Sequence, residues 1–450
     1  MKIKTNSKEV KPGDTFVALK GLTSDGHDYI EDAIKRGATK IVAEHGEYPI
    51  STLYVTDTKQ YLISYLQETY GDKIRKLKLI GVTGTNGKTT SCYLIYQMLN
   101  KLNRPCAYIG TIGFYLKDEI TILDKTTPDI LEIYELLIKC ANADVEYVAM
   151  EVSSHALALD RVSGLTFDYA IFSNLSVDHL DFHENIDDYA KCKQKLFKML
   201  TEEGIAIINN DDSYAEMMKV HDNNLTYGFS NSDYTIKSYT MNNSETEFKI
   251  KHNDEEYIVK TSILGKYNIY NLLTMIIVLN KIGFSLEELV QKTRFLKAPP
   301  GRMDTVLYQK NSIIIDYAHT PDAVFNILNT VNEFSNGKIY SIIGCGGNRD
   351  KSKRSKMTFY ATCLSDMVII TSDNPRNEKV GDIVSDMLKN IVKSNYTVIV
   401  DRKEAIEHGI KLLQENDVLV ILGKGHEDYQ IINDEVRYHN DKEYVLKLCR

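Results

Sequence analysis

Residues Gly81-Val82-Thr83-Gly84-Thr85-Asn86-Gly87-Lys88-Thr89-Thr90 decide how the rest of this chain is read. An apolar run, Leu79-Ile80-Gly81-Val82, leads in, and a helical pattern from about Lys88 to Leu102 leads out. A strand, a glycine-rich turn and a helix in that order gather backbone N–H groups and a helix N-terminus around one point, as a phosphate group requires. Gly84, Thr85, Asn86 and Gly87 would wrap the phosphates. Lys88 would pair with the β and γ groups, and the Thr89 hydroxyl, with Thr90 beside it, would face Mg²⁺. The spacing departs from GxxxxGK[ST], because Val82 stands where that pattern has glycine. A tight strand-to-helix turn with a solvated lysine is the plainer reading, and the flanking strand and helix weigh against it.

Outward from this loop, strands and helices alternate. Tyr147–Glu151, Tyr169–Phe172 and Ile205–Ile208 read as strands of a doubly wound parallel α/β sheet. Thr246–Ile250 and Tyr257–Thr261 flank Asn253-Asp254 as a small antiparallel part, and a helix follows from about Tyr270 to Lys281. Pro299-Pro300-Gly301 cannot continue a helix and marks a boundary. Beyond it, Ser312–Ile315, Ile339–Ile343, Met367–Thr371, Tyr396–Val400 and Val418–Leu422 predict a Rossmann-like domain. Ahead of the loop, Thr15–Leu19, the helix Ile30–Arg36 and Ile41–Ala43 make a small α/β unit. Three domains are expected, at residues 1–76, 77–300 and 301–450.

Composition sets the class. The 450 residues are 43% hydrophobic and 26% charged, which suits a globular protein with substantial cores. A net charge of −8 argues against a nucleic-acid partner. The N-terminus lacks a signal-peptide core, and no run approaches the ~20 apolar residues of a membrane span. No two of the seven cysteines lie at CxxC spacing, so neither a zinc ribbon nor a redox pair is suggested. A reduced, cytoplasmic setting is the expectation.

Several residues carry chemistry by position. Glu151 ends an apolar strand, where a carboxylate faces the ligand crevice of a parallel sheet, although a helix-capping acid would look the same. Asn174-Leu175-Ser176-Val177-Asp178-His179-Leu180-Asp181 follows the next strand and by itself is as well read as a polar loop. Lys193 shares a helix face with Tyr189, Leu196, Phe197 and Leu200, while Lys191 and Lys195 fall off that stripe. A lysine among apolar residues needs a partner or a changed charge state. A snorkelling stem is the alternative. Asn268, in Gly265-Lys266-Tyr267-Asn268-Ile269-Tyr270-Asn271, could serve as a helix N-cap.

The GTNGKT form of the loop resembles that of the Mur ligases and their folylpolyglutamate synthetase relatives. The resemblance extends from about residue 6 to 441. It implies an ATP-dependent, amide-forming ligase that works through an acyl phosphate. Two Mg²⁺ ions would be held by Thr89, Glu151, His179 and Lys193, the last carbamylated within Lys193-Gln194-Lys195-Leu196-Phe197. Asn268 and Asn271 would contact adenine, and Arg302 and Asp316 would bind ATP from the third domain. The position before Asp178, often arginine in the closest relatives, is Val177.

The N-terminal unit, with Asp14-Thr15-Phe16-Val17-Ala18-Leu19 and Asp25-Gly26-His27, resembles the nucleotide-sugar-binding domain of the diamino-acid-adding branch. Ser7 and His27 would contact the UDP-sugar. Only the serine of that branch's D-S-R motif remains, in Asn6-Ser7-Lys8, so the domain reads as abbreviated. Thr126 and Thr127, with Ser153 and Arg161, would hold the muramoyl-dipeptide part.

Asp316-Tyr317-Ala318-His319-Thr320-Pro321, Gly344-Cys345-Gly346-Gly347-Asn348-Arg349, Asp373-Asn374-Pro375-Arg376 and Gly423-Lys424-Gly425-His426-Glu427 each follow a predicted strand and would line one sheet edge. The resemblance assigns Arg349, Asp373, Asn374, Pro375, Arg376, Gly423 and Glu427 to the amino acid. Arg376 would fork onto the distal carboxylate of meso-diaminopimelate. The branch's aspartate before Arg349 is Asn348 here. The implied substrates are UDP-N-acetylmuramoyl-L-alanyl-D-glutamate and a free diamino acid, acted on by a monomer. A paralogue using another carboxylate, an L-lysine-adding enzyme, a folylpolyglutamate-synthetase-like ligase and a non-catalytic nucleotide sensor are the alternatives.

Overall fold

The computed structural model describes residues 2–21, 24–178, 182–433 and 435–449. The chain packs as two compact units. One holds Met1–Lys88, Leu99–Ala206 and Tyr214–Asn224; the other holds Thr89–Met98, Ile207–Ser213 and Leu225–Arg450.

In the first unit, Ile3–Lys4, Thr15–Val17, Lys40–Ala43 and Ser51–Tyr54 form a four-stranded parallel sheet in that order. Phe16, Ala18 and Ile41 pack on Ile30 and Ala33 of the helix Ile30–Lys35. A long helix, Thr58–Ile74, follows; Asp57 caps it by accepting from the backbone N–H of Lys59 and Gln60. The same unit carries the parallel strands Phe167–Phe172, Lys78–Thr83, Tyr147–Glu151 and Cys106–Gly110, in that spatial order. Their runs are largely apolar and buried, as expected of a parallel sheet covered on both faces. Gly113–Leu116 and Glu119–Thr121 form an antiparallel edge beyond Cys106–Gly110, and Leu200–Asn209 lies beyond Phe167–Phe172 at the other side.

In the second unit, Tyr234–Met241, Thr246–His252 and Glu255–Thr261 form an antiparallel meander. Its second turn is Asn253-Asp254, with φ of 49° and 66°. Two left-handed residues are what a tight hairpin requires, and Asn and Asp tolerate them best. The helix Lys266–Ile282 starts four residues earlier than the apolar pattern predicts. Gly265, at φ 102°, is its cap; Asn268 lies inside the helix and is buried, so it is not the N-cap.

The C-terminal sheet runs Asp304–Tyr308, Asn311–Asp316, Val418–Leu422, Ile339–Cys345, Met367–Ser372 and Tyr396–Val398. The first strand is antiparallel and all the others are parallel. All five predicted strands are present. The antiparallel edge strand and the hairpin Tyr429–Ile432 with Glu435–Tyr438 were not legible, being short and half-exposed. Ile314, Val420, Ile343 and Ile370 bury one face of the sheet, and Ile313, Leu419, Ile342 and Ile369 the other. No helix of the described residues is long and apolar enough to cross a membrane, and no disulfide joins the described cysteines.

Candidate active site

The phosphate-type loop leaves the strand Lys78–Thr83 as predicted and enters the helix Lys88–Lys101. Gly84 sits at φ 146°, and a Cβ there would stand 1.9 Å from Ser173 Oγ, so no other residue fits. The loop is pinned from the neighbouring strand end. Thr85 N–H donates to Asn174 O at 2.8 Å, Asn86 N–H to Asn174 Oδ1 at 3.0 Å, and Ser173 Oγ to Asn86 O at 2.6 Å. Asn174 and Ser173 therefore shape the loop, a role their sequence context did not single out.

Two lysines converge here. Lys88 Nζ donates to Gly84 O and Thr85 O, both at 2.9 Å. Lys193 Nζ donates to the same Gly84 O at 2.9 Å and lies 4.2 Å from the centre of the Tyr189 ring. Lys193 is 1% exposed, which removes the snorkelling alternative. Burial, then the neighbouring Lys88 charge, holds its amine well below the ordinary lysine range. Lys191 and Lys195 are exposed, as the helix stripe predicts.

Glu151 ends its strand with the carboxylate 1% exposed. Its Oε1 accepts from Tyr108 Oη and, at 2.9 Å, from Thr111 N–H; its Oε2 accepts from Thr111 Oγ1 at 3.1 Å. The helix that follows it is capped by Ser153, whose Oγ accepts from Ala156 N–H at 3.2 Å. Thr127 joins this corner, donating to Glu151 O at 2.8 Å and accepting from Ser153 N–H at 3.1 Å. Arg161 donates to Thr127 O and pairs with Asp129 at 3.0 Å, and Thr126 Oγ1 lies 3.0 Å from Thr111 Oγ1. Thr111, Thr126, Thr127, Ser153, Arg161 and Glu151 thus form one hydrogen-bonded corner. His179 lies outside the described residues.

In the N-terminal unit Ser7 is buried at the start of the short 3-10 turn Ser7–Glu9. His27 is committed on both ring nitrogens: Nε2 accepts from Glu44 N–H at 2.9 Å, so Nδ1 carries the proton and donates to Asp25 Oδ1 at 2.6 Å.

In the second unit, Thr89 and Thr90 are buried at the helix start. Asn268 Nδ2 donates to Leu264 O at 2.6 Å, Asn271 Nδ2 to Asn268 Oδ1 at 2.9 Å, and Ser91 Oγ to Asn271 Oδ1 at 3.1 Å. Asp316 is buried; its oxygens accept from Met303 N–H and Ala318 N–H at 2.8 and 2.9 Å. Burial raises its pKa against the opposing pull of Arg302. The Arg302 guanidinium stacks 5.1 Å from the centre of the Tyr317 ring.

The four C-terminal loops leave parallel strands and so share one edge. Arg376 holds φ 50°, uncommon for a non-glycine residue, and is fixed by pairing with Ile432. Its Nη1 donates to Gly347 O at 2.9 Å and reaches Asn374 O at 3.4 Å. Asn374 Nδ2 donates to Glu427 Oε2 at 3.0 Å. Asn374 Oδ1 accepts from Ile431 N–H at 3.0 Å and Lys424 Nζ at 3.2 Å. Lys424, fully buried, also pairs with Glu427 Oε2 at 3.1 Å. Gly423, at φ 110°, lets Asp373 approach: a Cβ would meet Asp373 Oδ2 at 2.8 Å. Pro375 O lies against Gly347, and Arg349 is exposed. Lys424 and Gln430, which donates to Asp373 O at 2.7 Å, were missed. Lys424 was readable only as a lysine next to glycines, and Gln430 lies on the hairpin that was not foreseen.

Fold and loop together define the class, a P-loop α/β protein with an additional Rossmann-like sheet. Family models match all three parts: "Mur ligase family, catalytic domain" over residues 2–65, "Mur ligase middle domain" over 82–279, and "Mur ligase, glutamate ligase domain" over 301–425. The chain belongs to the Mur ligase family. It is 39% identical over 461 aligned positions to UDP-N-acetylmuramoyl-L-alanyl-D-glutamate--2,6-diaminopimelate ligase of Clostridium botulinum, covering 100% of this chain and 95% of that relative. It is 38% identical to the Bacillus cereus protein of the same name, covering 98% and 92%. A solved structure of a ligase of that name superposes with a TM-score of 0.74 at 32% identity, covering 99% of this chain and 93% of the other.

Proposed function

We propose that this chain uses ATP to join meso-diaminopimelate to the terminal carboxylate of UDP-N-acetylmuramoyl-L-alanyl-D-glutamate, a step of peptidoglycan precursor synthesis. One observation supports it most: Asn374 links a guanidinium, Arg376, to a carboxylate, Glu427, in one pocket. Cation and anion side by side suit a zwitterionic amino-acid head, and the guanidinium fork suits a carboxylate. An L-lysine side chain ends in an ammonium and has no use for Arg376, which disfavours the lysine-adding alternative. The match to the relatives from end to end disfavours the folylpolyglutamate-type reading.

By family chemistry, a carboxylate oxygen attacks the γ-phosphorus, giving an acyl phosphate and ADP. The amine then attacks the acyl carbon; phosphate leaves, the ammonium proton is lost and the amide forms. Gly84, Thr85, Asn86, Gly87 and Thr90 would bind the phosphates, and Lys88 would move from its loop carbonyls to phosphoryl oxygens. Asn268, Asn271, Arg302 and Asp316 would hold the nucleotide. Ser7 and His27 would serve the UDP-sugar, His27 through the loop it braces. Thr126, Thr127, Ser153 and Arg161 would serve the dipeptide. Arg349, Asp373, Asn374, Pro375, Arg376, Gly423 and Glu427 would serve the diamino acid.

The donor set suits Mg²⁺: hydroxyl and carboxylate oxygens from Thr89 and Glu151, with His179 and a carbamate on Lys193. Bound there, Mg²⁺ would offset negative charge on the transferring phosphoryl group. Lys193 fits carbamylation because burial disfavours its ammonium form; the amine would add CO₂ and release a proton, and the carboxylate-like group would offset the charge of Lys88. A domain division at residues 76/77 and 300/301, a monomeric state and a cytoplasmic location complete the proposal.

The test is phosphate release with ATP, Mg²⁺ and UDP-N-acetylmuramoyl-L-alanyl-D-glutamate, comparing meso-diaminopimelate, L-lysine and L-ornithine. Turnover restricted to meso-diaminopimelate is expected. Turnover with L-lysine instead would overturn the role of Arg376, and none with any amine would point to another carboxylate. A carbamate resonance after labelling with ¹³C-bicarbonate, lost in Lys193→Ala, checks the modified lysine.

A further inference from the structure

We infer that a buried cluster, Arg402, Asp441 and His439, is a positioning device that fixes the spacing of the two loops carrying Arg376 and Glu427. This rests on the assignment of that pocket to the amine substrate. None of the three residues was singled out by its sequence context, and none belongs to the proposed amino-acid site.

Arg402 opens the helix Arg402–Leu412 and is 2% exposed. Its Nε and Nη2 fork onto Asp441 Oδ1 and Oδ2 at 2.8 and 2.7 Å. Asp441 is fully buried at the start of the last helix, Asp441–Leu448. The guanidinium then reaches two strand ends. Nη2 donates to Leu422 O at 2.9 Å, and Nη1 lies 3.5 Å from Ser372 O. Leu422 is the residue before Gly423, and Ser372 the residue before Asp373. His439, 4% exposed, lies with Nε2 2.7 Å from Asp441 Oδ1. The carboxylate already accepts the arginine fork, so the imidazole is the donor. The backbone N–H of His439 donates to Asp428 O at 2.9 Å, one residue beyond Glu427.

The cluster therefore ties both strand ends and the far side of the Glu427 loop to one carboxylate. Burying an ion pair is costly, and apolar replacements are often as stable. Carbonyls at the ends of parallel strands need donors once buried, and a guanidinium serves two of them at once. Burial disfavours the charged guanidinium; Asp441, and then Asp373 and Glu427, outweigh it. Because Gly423 lets Asp373 lie against it, a shift of either strand end moves both loops.

The experiment compares full-length wild type, His439→Ala, His439→Gln and Arg402→Lys. His439→Ala should raise KM for meso-diaminopimelate about tenfold, the size expected of sub-ångström misplacement, with KM for ATP and for the UDP-dipeptide within about twofold. His439→Gln, which keeps a donor to Asp441, should recover most of the loss. Arg402→Lys, which keeps the charge but not the fork, should exceed His439→Ala. Amide exchange should quicken at 372–376 and 422–428 in His439→Ala. Kinetic constants for all three substrates changing together with thermal stability, or unchanged exchange at both segments, would overturn the inference. If wild type fails to use meso-diaminopimelate, the proposed reaction falls, and the exchange measurement still decides the positioning role.

Discussion

The phosphate loop and the C-terminal pocket handle buried charge in opposite ways. At the loop, Lys88 and Lys193 both donate to one carbonyl, Gly84 O, and their mutual repulsion helps to depress the amine of Lys193. In the pocket, charges are matched: Lys424 with Glu427, and Arg402 with Asp441. At the loop two amines are held close together by one backbone carbonyl, a geometry in keeping with the phosphate role proposed for it. Paired charge is satisfied beforehand, so the side chains of the pocket are held by one another, as the proposed amino-acid site would need.

The comparison can be broken most severely at Lys88. Lys88→Ala should lower phosphate release about 10³-fold or more, since it removes the charge proposed to meet the transferring group, with the fold intact by circular dichroism. Near-normal turnover would mean that the loop does not work through this charge.

Asp441→Asn tests the matched side. Removing one partner of a buried pair should cost about 3–5 kcal/mol in denaturant unfolding at neutral pH. Burial pushes Asp441 up, and Arg402 and His439 pull it further down, so its carboxyl titrates below the ordinary 3.8. A depressed carboxylate stabilises the fold fully above 3.8, and that contribution is lost as pH falls below it. The variant should therefore differ less from wild type in acid than at neutral pH. An equal deficit at both would place the loss in packing.

Arg376→Ala should raise KM for meso-diaminopimelate about 100-fold while leaving KM for ATP within about twofold, as for one charge-assisted fork. An unchanged KM would move specificity elsewhere in the pocket. The smallest effect calibrates the others. Thr320 caps the helix Pro321–Phe334 by accepting from Ala323 N–H at 3.3 Å, so Thr320→Ala should cost about 1 kcal/mol and leave every KM unchanged.

Local pattern carried much of this protein. The strand–loop–helix at residues 78–101, the five parallel strands of the last sheet and the hairpin at Asn253-Asp254 were all readable, because glycine, Asn-Asp pairs and continuous apolar runs act within a few residues. The apolar stripe that placed Lys193 inside a helix face was readable for the same reason. What that lysine touches was not: Gly84 is 109 positions away in the chain. Asn268 had two readings, a helix N-cap and an adenine contact, because a short polar residue before an apolar run looks the same whether it starts the helix or is buried inside it; its burial within the helix removes the first.

By itself the amino-acid order determined the class of fold, the phosphate loop and the strand-end loops with their arginine and glutamate, since these depend on residue type and short spacing. Only the tertiary structure decided that Asn174 braces the loop, that Lys424 holds Glu427 and Asn374, and that Arg402 and Asp441 meet across 39 positions beneath the pocket. Those partners are brought together by sheet order and burial. Charges so distant in the chain leave no periodic trace, and only the exclusion of water around them makes their pairing obligatory.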